Sequence, residues 1–219
     1  DGDNNLEASA LSDFNEMELV DLSREGIEVI VLIDRTYSYS TAFHDWTGTR
    51  LYRIKQDKDM NKIGSERLAD PVFLGLSQTG DDEELNMGHP DVLQGFVDFC
   101  QTFYPAQKYA LLLWNHGSGW LNPSTSAPSG LSAGNPESSV QLLKIPVLKN
   151  PTAPQNPPPE NSGGTNLESV CQDITDGGDS LCVSEIAGAL SGRWVDLIGI
   201  DACLMAMVEV AYEMRKSVT

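Results

Sequence analysis

Two stretches of the chain pass from an apolar run into a short polar turn, and each carries a chemically able side chain at the switch. Val195-Asp-Leu-Ile-Gly-Ile200 leads through Asp201-Ala202-Cys203 into helical spacing of Leu204, Met207, Val208 and Ala211, which predicts a buried strand, a tight turn and a helix. Tyr109-Ala-Leu-Leu-Leu-Trp-Asn115 predicts a second such strand, running into His116-Gly117-Ser-Gly-Trp120. Helical spacing also predicts a helix over 6–22, with Leu6, Ala10, Phe14 and Met17 on one face and a capping box of Asn4 with Glu7. Another is expected over 90–104, with Leu93, Phe96, Val97 and Cys100 turned inward, and a short one over 185–190 capped by Ser184. The β-branched run Ile27–Ile33 suits a central parallel strand, and Thr49–Ile54 alternates as an edge strand or hairpin arm.

Residues 121–170 break this regularity. Two Pro- and Ser-rich tracts flank one apolar island from Val140 to Lys149, so the segment is expected to be extended or disordered. The chain therefore reads as one α/β domain over 1–219 with an insertion at 121–170. An insertion of that length between two strands points to a lid or processing segment.

Charge narrows the partners. With 32 acidic against 14 basic residues the net charge is −18, which argues against nucleic acid or an anionic membrane surface and favours cationic substrates or divalent cations. No apolar run reaches the length of a membrane span. Three histidines without a second ligand at metal spacing, and no Cys-x-x-Cys pair, leave no zinc site. No cofactor is required, although the run Asp81-Asp-Glu-Glu84 offers hard oxygens suited to calcium. Cys171 and Cys182 flank a turn-forming loop and are candidates for a disulfide in an oxidising compartment, or ordinary thiols in a reducing one. Asp34 and Arg35 form either an ion pair pinning a loop or a polar pair near substrate, and Cys100 is expected to be an inert core thiol.

A thiol and an imidazole at the carboxyl ends of two apolar strands are what nucleophilic catalysis by cysteine needs, if those strands are neighbours in one sheet. Cys203 would attack as thiolate, favoured by the adjacent helix amino end, and His116 would shuttle the proton. The backbone N–H groups of Gly117 and Cys203 are the natural oxyanion donors. Asp201 lies two residues before Cys203 on the same side of an extended strand, where it would receive a cationic side chain or else brace the turn.

Leu111-Leu-Leu-Trp-Asn-His116-Gly-Ser-Gly-Trp and Asp196-Leu-Ile-Gly-Ile-Asp-Ala-Cys203-Leu-Met resemble the clostripain family of cysteine peptidases, relatives of caspases, gingipains and legumain. Asp3-Asn-Asn-Leu-Glu7, Glu16-Met17, Ile33-Asp-Arg35, Asn86-Met-Gly88 with Pro90, Tyr104-Pro-Ala106 and Glu185-Ile-Ala-Gly-Ala-Leu190 are similar to its landmarks in the same order. The resemblance covers residues 1–120 and 171–214. It implies a caspase-like three-layer α/β fold, a mostly parallel central sheet flanked by helices, here incomplete at both ends with the remaining strands possibly in a second chain. It further implies a Cys203–His116 dyad without a third acid, and Asp201 in a primary pocket for Arg or Lys. Processing between the catalytic strands is also implied, in a bacterial protein that is secreted or cell-surface. Lys144 and Lys149, the basic residues of the interval between His116 and Arg193, are the self-cleavage candidates. The competing classes are a catalytically idle peptide-binding module and a thiol amidase or esterase.

Overall fold

Alternation along Ile30–Arg35 decides how the amino-terminal half packs. The computed structural model describes residues 1–22, 26–37, 39–43, 46–79, 83–119 and 169–218. Helix α1 (Glu7–Glu18) is followed by β1 (Ile30–Arg35), β2 (Gly48–Arg53) and β3 (Glu66–Leu68), which form an antiparallel sheet in that order. Val31 and Ile33 of β1 face α1, where Leu11 and Phe14 meet Tyr52 and Ile54. Ile30 and Leu32 face the other way, onto Leu51, Leu74, Leu76 and Phe99, the last carried by helix α2 (Pro90–Phe103). This period-two division places a helix on each face of the sheet.

The expected parallel placement of the first strand does not extend to its neighbour, because β1 pairs antiparallel with β2 from Ile30↔Arg53 to Arg35↔Gly48. The described residues of the loop between them hold no α-helix, and a parallel return needs a crossover that usually is one. Its parallel contact is a single bridge from Gly2 to Arg35. Helix α1 ends at Glu18, short of residue 22. Its expected capping box is absent: Asn4 Oδ1 accepts from the Leu6 amide at 2.9 Å, while Glu7 turns inward to Arg35.

The carboxyl-terminal half centres on β4 (Ala110–Trp114) and β7 (Leu197–Asp201), paired parallel from Ala110↔Leu197 to Trp114↔Asp201. Leu111 and Leu113 are buried with Leu93 and Val97 of α2 and with Ile186 of α3 (Val183–Ala189). Val210 and Met214 of α4 (Val208–Met214) join the same core. On the opposite face Leu112 and Leu197 are 69% and 55% exposed, so among the described residues helices cover one side of this pair. Strands β5 (Ser169–Asp173) and β6 (Asp179–Cys182) make an antiparallel hairpin. The expected insertion thus gives way to strand at Ser169, and Lys144 and Lys149 lie outside the described residues.

That hairpin bears on two expectations. Cys171 and Cys182 are both free: the ladder sets Cys182 opposite Ser169, and a bulge between Val170 and Asp173 gives Cys171 a φ of 63° and buries it. Helix α3 is capped at Cys182 rather than Ser184, with Glu185 accepting from the Cys182 amide at 2.9 Å.

Candidate active site

Parallel pairing brings the carboxyl ends of β4 and β7 to one edge of the sheet, with Trp114 opposite Asp201. His116 and Cys203 each lie two residues beyond those partners. The two turns touch: a Cβ built on Gly117 would run into the Cys203 carbonyl and come within 2.8 Å of the Ala202 Cβ. Only glycine permits that approach. Cys203 is exposed, and His116 is half-buried.

The imidazole is held from below. Its Nε2 lies 2.7 Å from Asn5 Oδ1, and its amide donates to the Asn115 side chain. Asn115 is 4% exposed, and its Oδ1 also accepts from Asn4 Nδ2 at 3.1 Å. An amide oxygen only accepts, so Nε2 is the donor and Nδ1 is left bare to take a proton in the neutral ring. Burial lowers the His116 pKa below its ordinary 6.5, since desolvation disfavours the charged ring. A bridge from Gly117 to Val170 and the bond from Ser118 N to Ser169 O fix this turn against β5. Asn5 had no role in the sequence reading. Only the Asn4-Asn5 pair hinted at it, and nothing in spacing joins residue 5 to residue 116.

Helix α4 starts later than expected, at Val208 with Met207 as its cap. Residues 204–207 form a non-helical turn with Leu204 at φ 62°, so no helix amino end abuts the Cys203 sulfur. Asp201 ends β7 with an exposed side chain that makes no hydrogen bond among the described residues. Burial pushes the Cys100 thiol up to about 12, so this core cysteine stays protonated.

The two described residues of the acidic run take different partners. Asp81 and Asp82 lie outside the described residues, and Glu83 accepts from the Ser77 amide at 2.9 and 3.0 Å. Glu84 turns elsewhere, accepting from Thr175 Oγ1 at 3.0 Å beside Asp3, Asp34 and Asp173. Nor do Asp34 and Arg35 pair with each other, because adjacent strand residues face opposite ways. Arg35 Nε meets Glu7 Oε1 at 2.7 Å with both side chains fully buried, whereas Asp34 Oδ1 accepts from Thr49 Oγ1 at 2.9 Å.

The family model of the clostripain family matches residues 1–150 and 159–219. The chain belongs to the clostripain family. It is 32% identical over 220 residues to clostripain of Hathewaya histolytica, covering 98% of this chain and 34% of that protein. It also resembles a secreted C11 cysteine protease of Bacteroides thetaiotaomicron, solved with an irreversible peptide inhibitor. That similarity has a TM-score of 0.58 at 22% identity over 99% of this chain and 44% of the other. An inactive zymogen C11 protease of Parabacteroides distasonis gives 0.51 at 20% identity over 99% and 43%. The fold is therefore that of the C11 proteases, an α/β caspase-like arrangement whose parallel pairing among the described strands is the β4–β7 ladder. The chain spans about a third of clostripain and less than half of either solved protein. The family match runs on to residue 150, into the segment where the motifs gave no resemblance.

Proposed function

We propose that this chain carries the catalytic dyad of a cysteine endopeptidase that cuts after Arg or Lys. The observation that carries the reading is the contact between the His116-Gly117 and Ala202-Cys203 turns at the ends of two parallel strands. His116 Nδ1 takes the proton of the Cys203 thiol, and the sulfur attacks the scissile carbonyl carbon. The Gly117 and Cys203 amides receive the oxyanion. His116 then protonates the leaving amine as the C–N bond breaks, giving a thioester. Water, deprotonated by the same imidazole, attacks the thioester and releases the acid and the thiol. Asp201, exposed beside Cys203, receives the guanidinium or ammonium of the residue before the cut, and the charge of −18 draws cationic segments toward it.

Self-cleavage after Lys144 or Lys149 completes the proposal. Both residues are tethered between the two catalytic strands at high effective concentration, and the uncut segment acts as a zymogen lid. Its setting is secreted, like that of the Bacteroides protease, and no helix among the described residues is long and apolar enough to cross a membrane. The exposed Leu112 and Leu197 face is where a second chain holding the remainder of the fold would pack.

A fluorogenic peptide panel with Arg, Lys, Asp or Ala before the reporter tests this. Arg and Lys substrates should turn over, Cys203→Ala should abolish hydrolysis, and Asp201→Ala should lose basic substrates preferentially. Equal loss on all four would make Asp201 structural. Hydrolysis of small esters without any peptide would favour the amidase or esterase class, and no turnover at all the idle module.

A further inference from the structure

Period two along β4 puts Leu111, Leu113 and Asn115 on one buried face, so an amide stands where the two positions before it carry leucine. Asn115 is 4% exposed, and Asn4 beside it is fully buried. A third leucine would continue the core without the desolvation that a buried amide carries. Packing therefore does not call for asparagine at this position.

Its hydrogen bonds do. Asn115 Oδ1 accepts from the His116 backbone N–H and from Asn4 Nδ2 at 3.1 Å. Its Nδ2 donates to the Asp1 carbonyl at 3.1 Å and to Asp1 Oδ2 at 2.8 Å. Two lone pairs and two N–H bonds are all that a carboxamide has. The backbone amide of Asn115 donates to the Asp201 carbonyl at 3.3 Å, at the end of the strand that leads to Cys203. Asn4 is held in turn, its Nδ2 donating to the Gln172 carbonyl at 2.8 Å and its Oδ1 accepting from the Leu6 amide. The next residue, Asn5, meets the His116 ring. Asn4-Asn5 thus lies against Asn115-His116 residue for residue, the first pair holding the main chain where it leaves β4 and the second holding the imidazole.

We propose that Asn115, backed by Asn4, is a positioning residue for His116, setting the main chain from which the imidazole projects relative to the Asp201–Cys203 turn. This role rests on the peptidase reading of the dyad. A carboxamide suits it because one group accepts from the His116 main chain and donates to the amino-terminal turn. Leucine could do neither, and aspartate would only accept, with its charge set against Asp1 Oδ2. With the main chain fixed through Asn115, the Asn5 bond defines one ring placement; with it loose, the same bond constrains the ring far less. A misplacement of about 1 Å is enough to cost about 10²-fold in rate.

Three measurements on the intact protein test the assignment: hydrolysis of an Arg peptide, alkylation of Cys203 by iodoacetamide with Cys203→Ala as blank, and urea unfolding. Asn115→Ala should lower kcat about 10²-fold with little change in KM. Asn4→Ala keeps Asn115 in place and should cost about tenfold, on the scale of one lost hydrogen bond. Both should slow alkylation toward the rate of His116→Ala, a readout that needs no peptide substrate. Adding Asn5→Ala to Asn115→Ala should cost less than about tenfold more, whereas independent effects would multiply to about 10⁴-fold. Asn15→Ala removes another buried amide, one that donates to the Leu11 carbonyl within α1, and should lower the unfolding midpoint while kcat and alkylation stay at wild type. Lower midpoints for Asn115→Ala and Asn4→Ala with wild-type kcat and alkylation would make both amides structural and overturn the proposal, as would full multiplication with Asn5→Ala. Should Asn115→Ala not fold, Asn4→Ala alone and combined with Asn5→Ala decides by the same outcomes. Alkylation of His116→Ala at the wild-type rate would instead sink the dyad reading, and this role with it.

Discussion

His116 Nε2 and Asn5 Oδ1 stand 2.7 Å apart, although the two residues are separated by most of the amino-terminal half of the chain. This contact sets the tautomer and leaves Nδ1 as the bare nitrogen of the neutral ring. Asn5→Ala should lower kcat on the order of 10²-fold with little change in KM, because a misaimed imidazole reduces the reactive population and not substrate binding. Steady-state kinetics on an Arg substrate checks this. A fall confined to KM would place Asn5 at the substrate instead.

The acid limb of the kcat/KM profile should lie below pH 6.5. Desolvation lowers the His116 pKa, so the neutral base persists to lower pH, and activity is lost as pH falls through that depressed value. Asn5→Asp would place a carboxylate on Nε2, stabilise the imidazolium and move the limb upward. A limb unmoved by Asn5→Asp would mean that the profile reports some other group.

Gly117→Ala should lose at least about 10²-fold in kcat/KM, since the new methyl meets the Cys203 carbonyl and drives the two turns apart. Gly188→Ala makes the contrast. It lies inside α3 with open space around a new Cβ, and should stabilise the fold by ~0.5–1 kcal/mol without changing turnover. Urea unfolding and peptide hydrolysis, measured on both variants, separate the two effects.

Arg35→Met should cost about 3–5 kcal/mol by chemical denaturation, because it leaves Glu7 buried without its ion pair. Pairing it with Glu7→Leu should recover much of that loss. If the double variant is as unstable as the single, the lost contacts of Arg35 with the Ser40 and Ala42 carbonyls and the Trp46 ring dominate instead.

The meeting of the His116 and Cys203 turns was legible because both strands are apolar runs whose ends coincide with polar turns, and a parallel ladder aligns such ends without further instruction. Helix α2 was legible for a similar reason, with Leu93 and Val97 buried as their spacing implied. What escaped were relationships that no local period encodes. The acidic run at 81–84 drew the eye as a contiguous ligand set, yet Glu83 and Glu84 diverge and only Glu84 joins the carboxylates from residues 3, 34 and 173. The Cys171 bulge and the non-helical turn at 204–207 each hang on one positive φ at a residue that is not glycine, a choice imposed by tertiary packing.

Between His116 and Cys203 the peptide makes a long excursion, yet the spacing of the two turns is kept by the β4–β7 ladder and the Gly117–Val170 bridge. The proposed base and nucleophile thus depend on pairing between β4, β5 and β7 more than on the covalent thread joining them. A polypeptide holding α1 through β4 and another holding β5 through α4 should therefore find each other when translated from separate genes. Hydrolysis would then report their encounter, as in a split-enzyme sensor.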